Sequence, residues 1–367
     1  MSVNATTVSA GEALRVLEAG WAAQHAGGMT VSWMLHGRPG VGKTELVQTL
    51  AARIGAELYD LRLTTIEPQD LRGLPYYDHA TAKTVWYRPE DLPDTDRPAI
   101  LFLDELTAAA PSLQPTVYGL LQERRVGRHL LPPSVMIVAA GNQVEDGAIA
   151  YDMGTALSDR LIHMIVQASA DDWLANYAVA AGIHPTVAAF IRTRPDLLET
   201  TESSLRRGQM IACTPRSWTR VSRIMDNIAD RAIRQVMIAG TVGAAPAAEF
   251  ALLADEISAT VRIDEMLATP RADRATLYPH TLHGLTALVF GLVGLARRET
   301  LPAAIEILAD LRLHKGLAAG GLPTSELASF GFELLIGRAL GQGWQDVFAA
   351  SATYADYAAD RRAMGLP

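Results

Sequence analysis

Apolar and polar positions in the first half of the chain switch between two periods. A helix-like run over 8–27, with Leu14, Leu17 and Trp21 on one face, ends at Gly27-Gly28. Short apolar runs then recur at 30–36, 57–63, 99–103, 134–140 and 162–166, with helix-like stretches at 43–54 and 112–124. Strand-length apolar runs alternating with amphipathic helices predict an α/β fold, a parallel sheet flanked by helices. Two segments break the alternation. Tyr76-Tyr77 and Val85-Trp86-Tyr87 around Asp78-His79-Ala80-Thr81 read as a hairpin, and a second is expected around Gly127-Arg128. From Ser169 onward strand signals vanish and helix-like segments run to the end of the chain. Breaks are expected at 239–245, where Gly240, Gly243 and Pro246 interrupt the pattern, and at the glycine cluster 316–321. The most apolar stretch, 282–295, is too short to span a bilayer and reads as a buried helix packing through its glycines.

Between the first apolar run and the helix that follows it lies Gly37-Arg38-Pro39-Gly40-Val41-Gly42-Lys43-Thr44, which fits G-x-x-x-x-G-K-[ST]. Strand, glycine-rich loop and helix are the context this phosphate-binding loop requires. Glycines let backbone N–H groups wrap an anion, and the helix adds its positive N-terminal end. Gly37, Pro39, Gly40, Val41, Gly42, Lys43, Thr44 and Glu45 are therefore the expected nucleotide contacts. Lys43 is expected to reach the β- and γ-phosphates, and Thr44 to offer a hydroxyl to Mg²⁺.

A second element separates water-activating enzymes from others with the same loop. Ile100-Leu101-Phe102-Leu103 ends in Asp104-Glu105, placing two carboxylates at the carboxyl edge of the sheet, where ligands bind. Asp104 is expected to hold the metal beside Thr44, and Glu105 to orient and deprotonate the attacking water. That pairing disfavours a small-molecule kinase, which must spare water. Asn142, after the run 134–140, is a polar amide at a strand end, suited to the water or the γ-phosphate; a simple turn residue is the alternative. Arg160 stands between apolar neighbours just before a further strand, where an intrachain pair with Asp159 is the bland reading. Arg216, in Thr214-Pro215-Arg216-Ser217-Trp218, opens a later helix as either a nucleotide contact or a surface arginine. His36 reads as a packing or hydrogen-bonding residue.

Composition narrows the rest. Hydrophobic content of 49% with 20% charged residues suits a globular protein, and 367 residues allow two or three domains. A net charge of −8 argues against non-specific nucleic-acid binding. A single cysteine, Cys213, excludes an intrachain disulfide and, with no secretory signal at the start, implies a cytoplasmic protein.

In order and spacing these pieces resemble the AAA+ ATPases, and within them the MoxR group, over residues 30–235. The marks are the loop 37–44, Gln69-Asp70-Leu71-Arg72-Gly73-Leu74-Pro75, Leu103-Asp104-Glu105, Gly141-Asn142 and Leu157-Ser158-Asp159-Arg160. The resemblance implies a nucleotide-binding core over 1–167 with hairpin inserts at 73–90 and 124–132, a helical lid over 168–238, and a helical region over 239–367. It implies Asn142 as sensor 1, Arg160 as arginine finger and Arg216 as sensor 2, with ATP and Mg²⁺ as cofactors. It further implies a hexameric ring with active sites shared between subunits. Its work would be chaperone-like remodelling of a protein client, with a von Willebrand factor A domain protein as a possible partner. The alternatives are a nucleic-acid-directed AAA+ motor and a nucleotide-gated scaffold with slow turnover. The second hairpin either grips an acidic client segment, with Arg125 and Arg128, or is a solvated turn; on the first, Tyr76, Tyr77, Trp86 and Tyr87 either contact the client or staple the hairpin to the core.

Overall fold

The computed structural model describes residues 3–142, 158–159 and 161–363. They form two compact units. One is Met1–Ser169 with Thr201–Gln209 and Thr214–Arg216; the other is Ala170–Thr200 with Met210–Cys213 and Ser217–Pro367.

The first unit is an α/β layer structure. Its strands are β1 (Thr7–Val8), β2 (Ser32–His36), β3 (Glu57–Arg62), β6 (Ala99–Asp104), β9 (Val135–Gly141) and β10 (Leu161–Val166). They pair in parallel in the order β1-β10-β2-β9-β6-β3. Helices α1 (Ala10–Gly27), α2 (Lys43–Ile54), α3 (Pro68–Arg72) and α4 (Gln114–Glu123) belong to the same unit. Alternate strand residues point to opposite faces, and each face has its own core. Leu101, Leu103, Ile137 and Ala139 pack with Val117, Leu120 and Leu121 of α4. Ile100, Phe102, Met136 and Val138 pack with Leu14 and Leu17 of α1 and with Leu46, Val47 and Leu50 of α2. Every residue of β2, β6 and β9 is buried, as the continuous apolar runs require.

The first helix is shorter than its apolar periodicity suggests. Val8 instead pairs with Val166 as the edge of the sheet. A capping box sets the boundary: the Ser9 side chain accepts from the Glu12 amide, and the Glu12 carboxylate accepts from the Ser9 amide. The two hairpins are β4 (Pro75–Asp78) with β5 (Lys83–Trp86), and β7 (Arg125–Val126) with β8 (His129–Leu130).

The second unit is helical. Phe190, Trp218 and Phe250 form an aromatic cluster with ring centroids 5.1 to 5.8 Å apart. The Trp218 indole N–H donates to the Leu197 carbonyl at 2.7 Å. The apolar helix Leu282–Leu295 is buried from Gly284 to Val293, and a β carbon at Gly291 would overlap Ile263. The break expected over 239–245 narrows to Gly243. Gly240 lies inside the helix Arg231–Val242, and Pro246 lies in the first turn of Ala244–Thr260, where proline is tolerated. Part of the glycine cluster 316–321 is itself the helix Lys315–Ala319. Among the described residues no helix is long and apolar enough to cross a membrane.

Candidate nucleotide site

β2 delivers the chain to the glycine-rich loop at the carboxyl edge of the sheet, between β9 and β10. Gly40 and Gly42 have φ of 81° and 106°, in the left-handed region that favours glycine. A β carbon at Gly40 would lie 2.9 Å from Thr214 Oγ1. Gly42 is the N-cap of α2 and has no side chain to cap the first-turn amides, the arrangement that suits an anion. The Lys43 ammonium is buried. It donates to the Gly37 carbonyl, to the Arg38 carbonyl at 3.1 Å and to Asn142 Oδ1 at 3.0 Å. Pro39 and Glu45 are exposed on either side of the loop, and Val41 is buried in the core.

The acidic pair lies two strands away. Asp104 is buried at the end of β6; its Oδ2 accepts from Thr44 Oγ1 at 3.3 Å and its Oδ1 from the Glu105 amide at 2.9 Å. Hydroxyl and carboxylate oxygens so close together fit a hard divalent cation such as Mg²⁺. Glu105 has φ 59° and ψ 34°, left-handed for a residue with a β carbon. Its carboxylate accepts from the Thr64 hydroxyl and lies 3.9 Å from Arg62 Nε. Arg62 and Thr64 come from β3 and the turn beyond it, and no motif marked them. The available signal was that an adjacent strand ends at the same edge. Asp60, also on β3, is pushed up by burial and then by the charge of Asp104.

Asn142 directly follows β9, so strand order puts it between the loop and the acidic pair. Arg216 is exposed in the helix Pro215–Asn227, and its backbone N–H donates to the Gly40 carbonyl at 3.3 Å. Arg38 of the loop pairs with Glu202 at 2.8 Å. Arg160 lies outside the described residues.

His36 is hydrogen-bonded, as its sequence context suggests. Its Nε2 is 2.9 Å from His163 Nδ1, and His163 Nε2 is 2.9 Å from the Ser158 carbonyl. A carbonyl only accepts, so His163 Nε2 donates to it. One proton lies between His163 Nδ1 and His36 Nε2. Burial, then His163 and Lys43, holds the His36 imidazole down at about 4.

Residues 32–161 match the family model described as AAA domain (dynein-related subfamily). The ATPase family gene 2 protein homolog B of Bos taurus is 34% identical over 104 residues. That match takes in 28% of this chain and 11% of the bovine protein's length. Among solved structures, a RuvB mutant of Thermotoga maritima superposes at 14% identity and TM-score 0.37, over 73% of this chain and 82% of that one. The Thermotoga maritima RuvB Holliday junction branch migration motor does so at 15% identity and TM-score 0.35, over 72% and 80%. The phosphate loop after β2, the acidic pair after β6 and the polar amide after β9 all fall within the residues 32–161 that match this AAA domain model.

Proposed function

We propose that this chain is the motor subunit of a Mg²⁺-dependent, MoxR-type ring ATPase that remodels a protein partner. The observation that carries the reading is the pairing of two consecutive loop residues with the neighbouring strand ends, Lys43 with Asn142 and Thr44 with Asp104, with Glu105 beside Asp104. The loop amides and Lys43 take the β- and γ-phosphates. Thr44 and Asp104 hold the metal, which when bound neutralises charge developing on the phosphoryl group. Glu105 accepts the proton of the attacking water, and for this its carboxylate must turn from Thr64 and Arg62 toward the phosphate. Asn142 steadies the γ-phosphate or the water. Arg216 serves the nucleotide of its own subunit and Arg160 that of a neighbour, which is why the active unit is a ring, expected to be hexameric.

The hairpins supply the output. His129 Nε2 bonds the Arg72 carbonyl at 3.2 Å, and Arg88 donates to the Leu130 carbonyl at 3.2 Å, tying the two hairpins into a single surface. Tyr77, Tyr87 and Leu130 stand exposed on it, with Arg125 and Arg128 nearby in sequence. Apolar and basic groups together suit an acidic, partly apolar protein segment, such as one on a von Willebrand factor A domain partner.

Glu105→Gln should keep ATP binding and lower the hydrolysis rate by about 100-fold or more, the usual worth of a positioned general base. Hydrolysis at the wild-type rate would overturn the assignment. Proteins retained by this slow variant in the presence of ATP identify the client. Stimulation by DNA instead of by protein would favour the nucleic-acid motor.

A further inference from the structure

Thr107 carries no motif, yet it joins the two halves of the site. It lies in the short helical turn Leu106–Ala108 that follows Glu105, and it is buried. Its hydroxyl makes two hydrogen bonds with the main chain of one residue. It donates to the Asn142 carbonyl at 3.0 Å and accepts from the Asn142 amide at 3.0 Å. A β carbon at Gly141 would lie 2.6 Å from Thr107 Oγ1, so the glycine clears the approach.

The ladder between β2 and β9 ends with His36 paired to Gly141. Asn142 is the first residue beyond it, and the Thr107 hydroxyl takes the place that a neighbouring strand would fill. The turn carrying Thr107 is itself held: the Glu105 amide donates to Asp104 Oδ1 at 2.9 Å, and the Ala108 amide to the Glu105 carbonyl at 2.9 Å. From the clamped main chain the Asn142 side chain reaches Lys43 Nζ at 3.0 Å. Threonine suits the place because branching at Cβ restricts χ1, which leaves the hydroxyl few directions.

We propose that Thr107 is a positioning residue for nucleotide hydrolysis, clamping both main-chain polar groups of Asn142 so that its side-chain amide keeps a set place between Lys43 and the Asp104-Glu105 turn. The proposal rests on the reading of this site as one that hydrolyses ATP. Thr107 acts through Asn142.

The test compares wild type, Thr107→Val, Thr107→Ser, Asn142→Ala and the double variant Thr107→Val with Asn142→Ala, with Lys43→Ala as the inactive baseline. Steady-state ATP hydrolysis and binding of a fluorescent ADP are measured on each. Thr107→Val keeps the shape and removes the hydroxyl; its kcat should fall about tenfold or more while ADP affinity stays within about threefold. Thr107→Ser should retain at least about a third of wild-type kcat. Because Thr107 acts through Asn142, the double variant should be no slower than Asn142→Ala within about twofold. Thr107→Ala enters the same cycle on the same criteria, so the decision does not depend on the valine variant folding.

A wild-type kcat in Thr107→Val, losses that multiply in the double variant, or a serine variant as slow as the valine one would each overturn the clamp. A wild-type rate no higher than Lys43→Ala would overturn the reading of the site beneath it, and the clamp's role in hydrolysis with it.

Discussion

Glu105 occupies a left-handed backbone conformation that a residue with a β carbon adopts only when its surroundings hold it there. Those surroundings are named: its amide is on Asp104, its carbonyl receives Ala108, and its carboxylate is on Thr64. Local main-chain cost is thus exchanged for a carboxylate aimed from the sheet edge. His36 presents a different cost, a buried imidazole beside His163 and Lys43. Held near 4 rather than at its ordinary 6.5, it binds fewer protons folded than unfolded across that window. Its contribution is therefore complete above pH 6.5 and is lost as pH falls toward 4. Urea unfolding at stepped pH should show a shallower acid loss of stability for His36→Gln than for wild type; parallel curves would remove His36 from the account.

Hairpins of two and four residues per strand are too short to be stable alone, so they persist through what they bond to. Arg88 is the tether, donating to the Leu92 carbonyl at 3.3 Å and to the Leu130 carbonyl at 3.2 Å. Arg72 adds a guanidinium 4.3 Å from the Trp86 ring centroid, and Tyr76 stacks on Tyr87 at 4.5 Å. Arg88→Ala should cost about 1–2 kcal/mol and leave carbonyls of both segments without their donor. Hydrogen exchange should then quicken over 125–131, with β6 and β9 unchanged. Equal protection in the variant would show that the hairpins stand independently. The pairing of the strands was readable from turn residues and alternation, but the tie between the hairpins joins residues 42 positions apart and left no local pattern.

For the molecule as a whole, the nucleotide site is incomplete in the reading proposed here until a neighbour supplies Arg160. Lys43→Ala should therefore do more than abolish ATP binding: it should weaken ATP-dependent ring assembly, measured by mass photometry with and without nucleotide. Identical ring populations in wild type and variant would separate assembly from the phosphate loop. Much of the sheet and the phosphate loop was legible in the sequence. Periodicity marked the strands, glycine spacing marked the loop, and Asp104-Glu105 at the end of an apolar run marked two carboxylates at the sheet edge. These are local signals, written by the demands of burial and of phosphate geometry on consecutive residues. Thr107, Thr64, Arg62 and His163 carry no such pattern, because each matters through a partner distant in sequence. Thr107 meets Asn142 across 35 positions and His36 meets His163 across 127. Which strands stand side by side decides those meetings, and parallel pairing brings together chain ends that sequence keeps far apart.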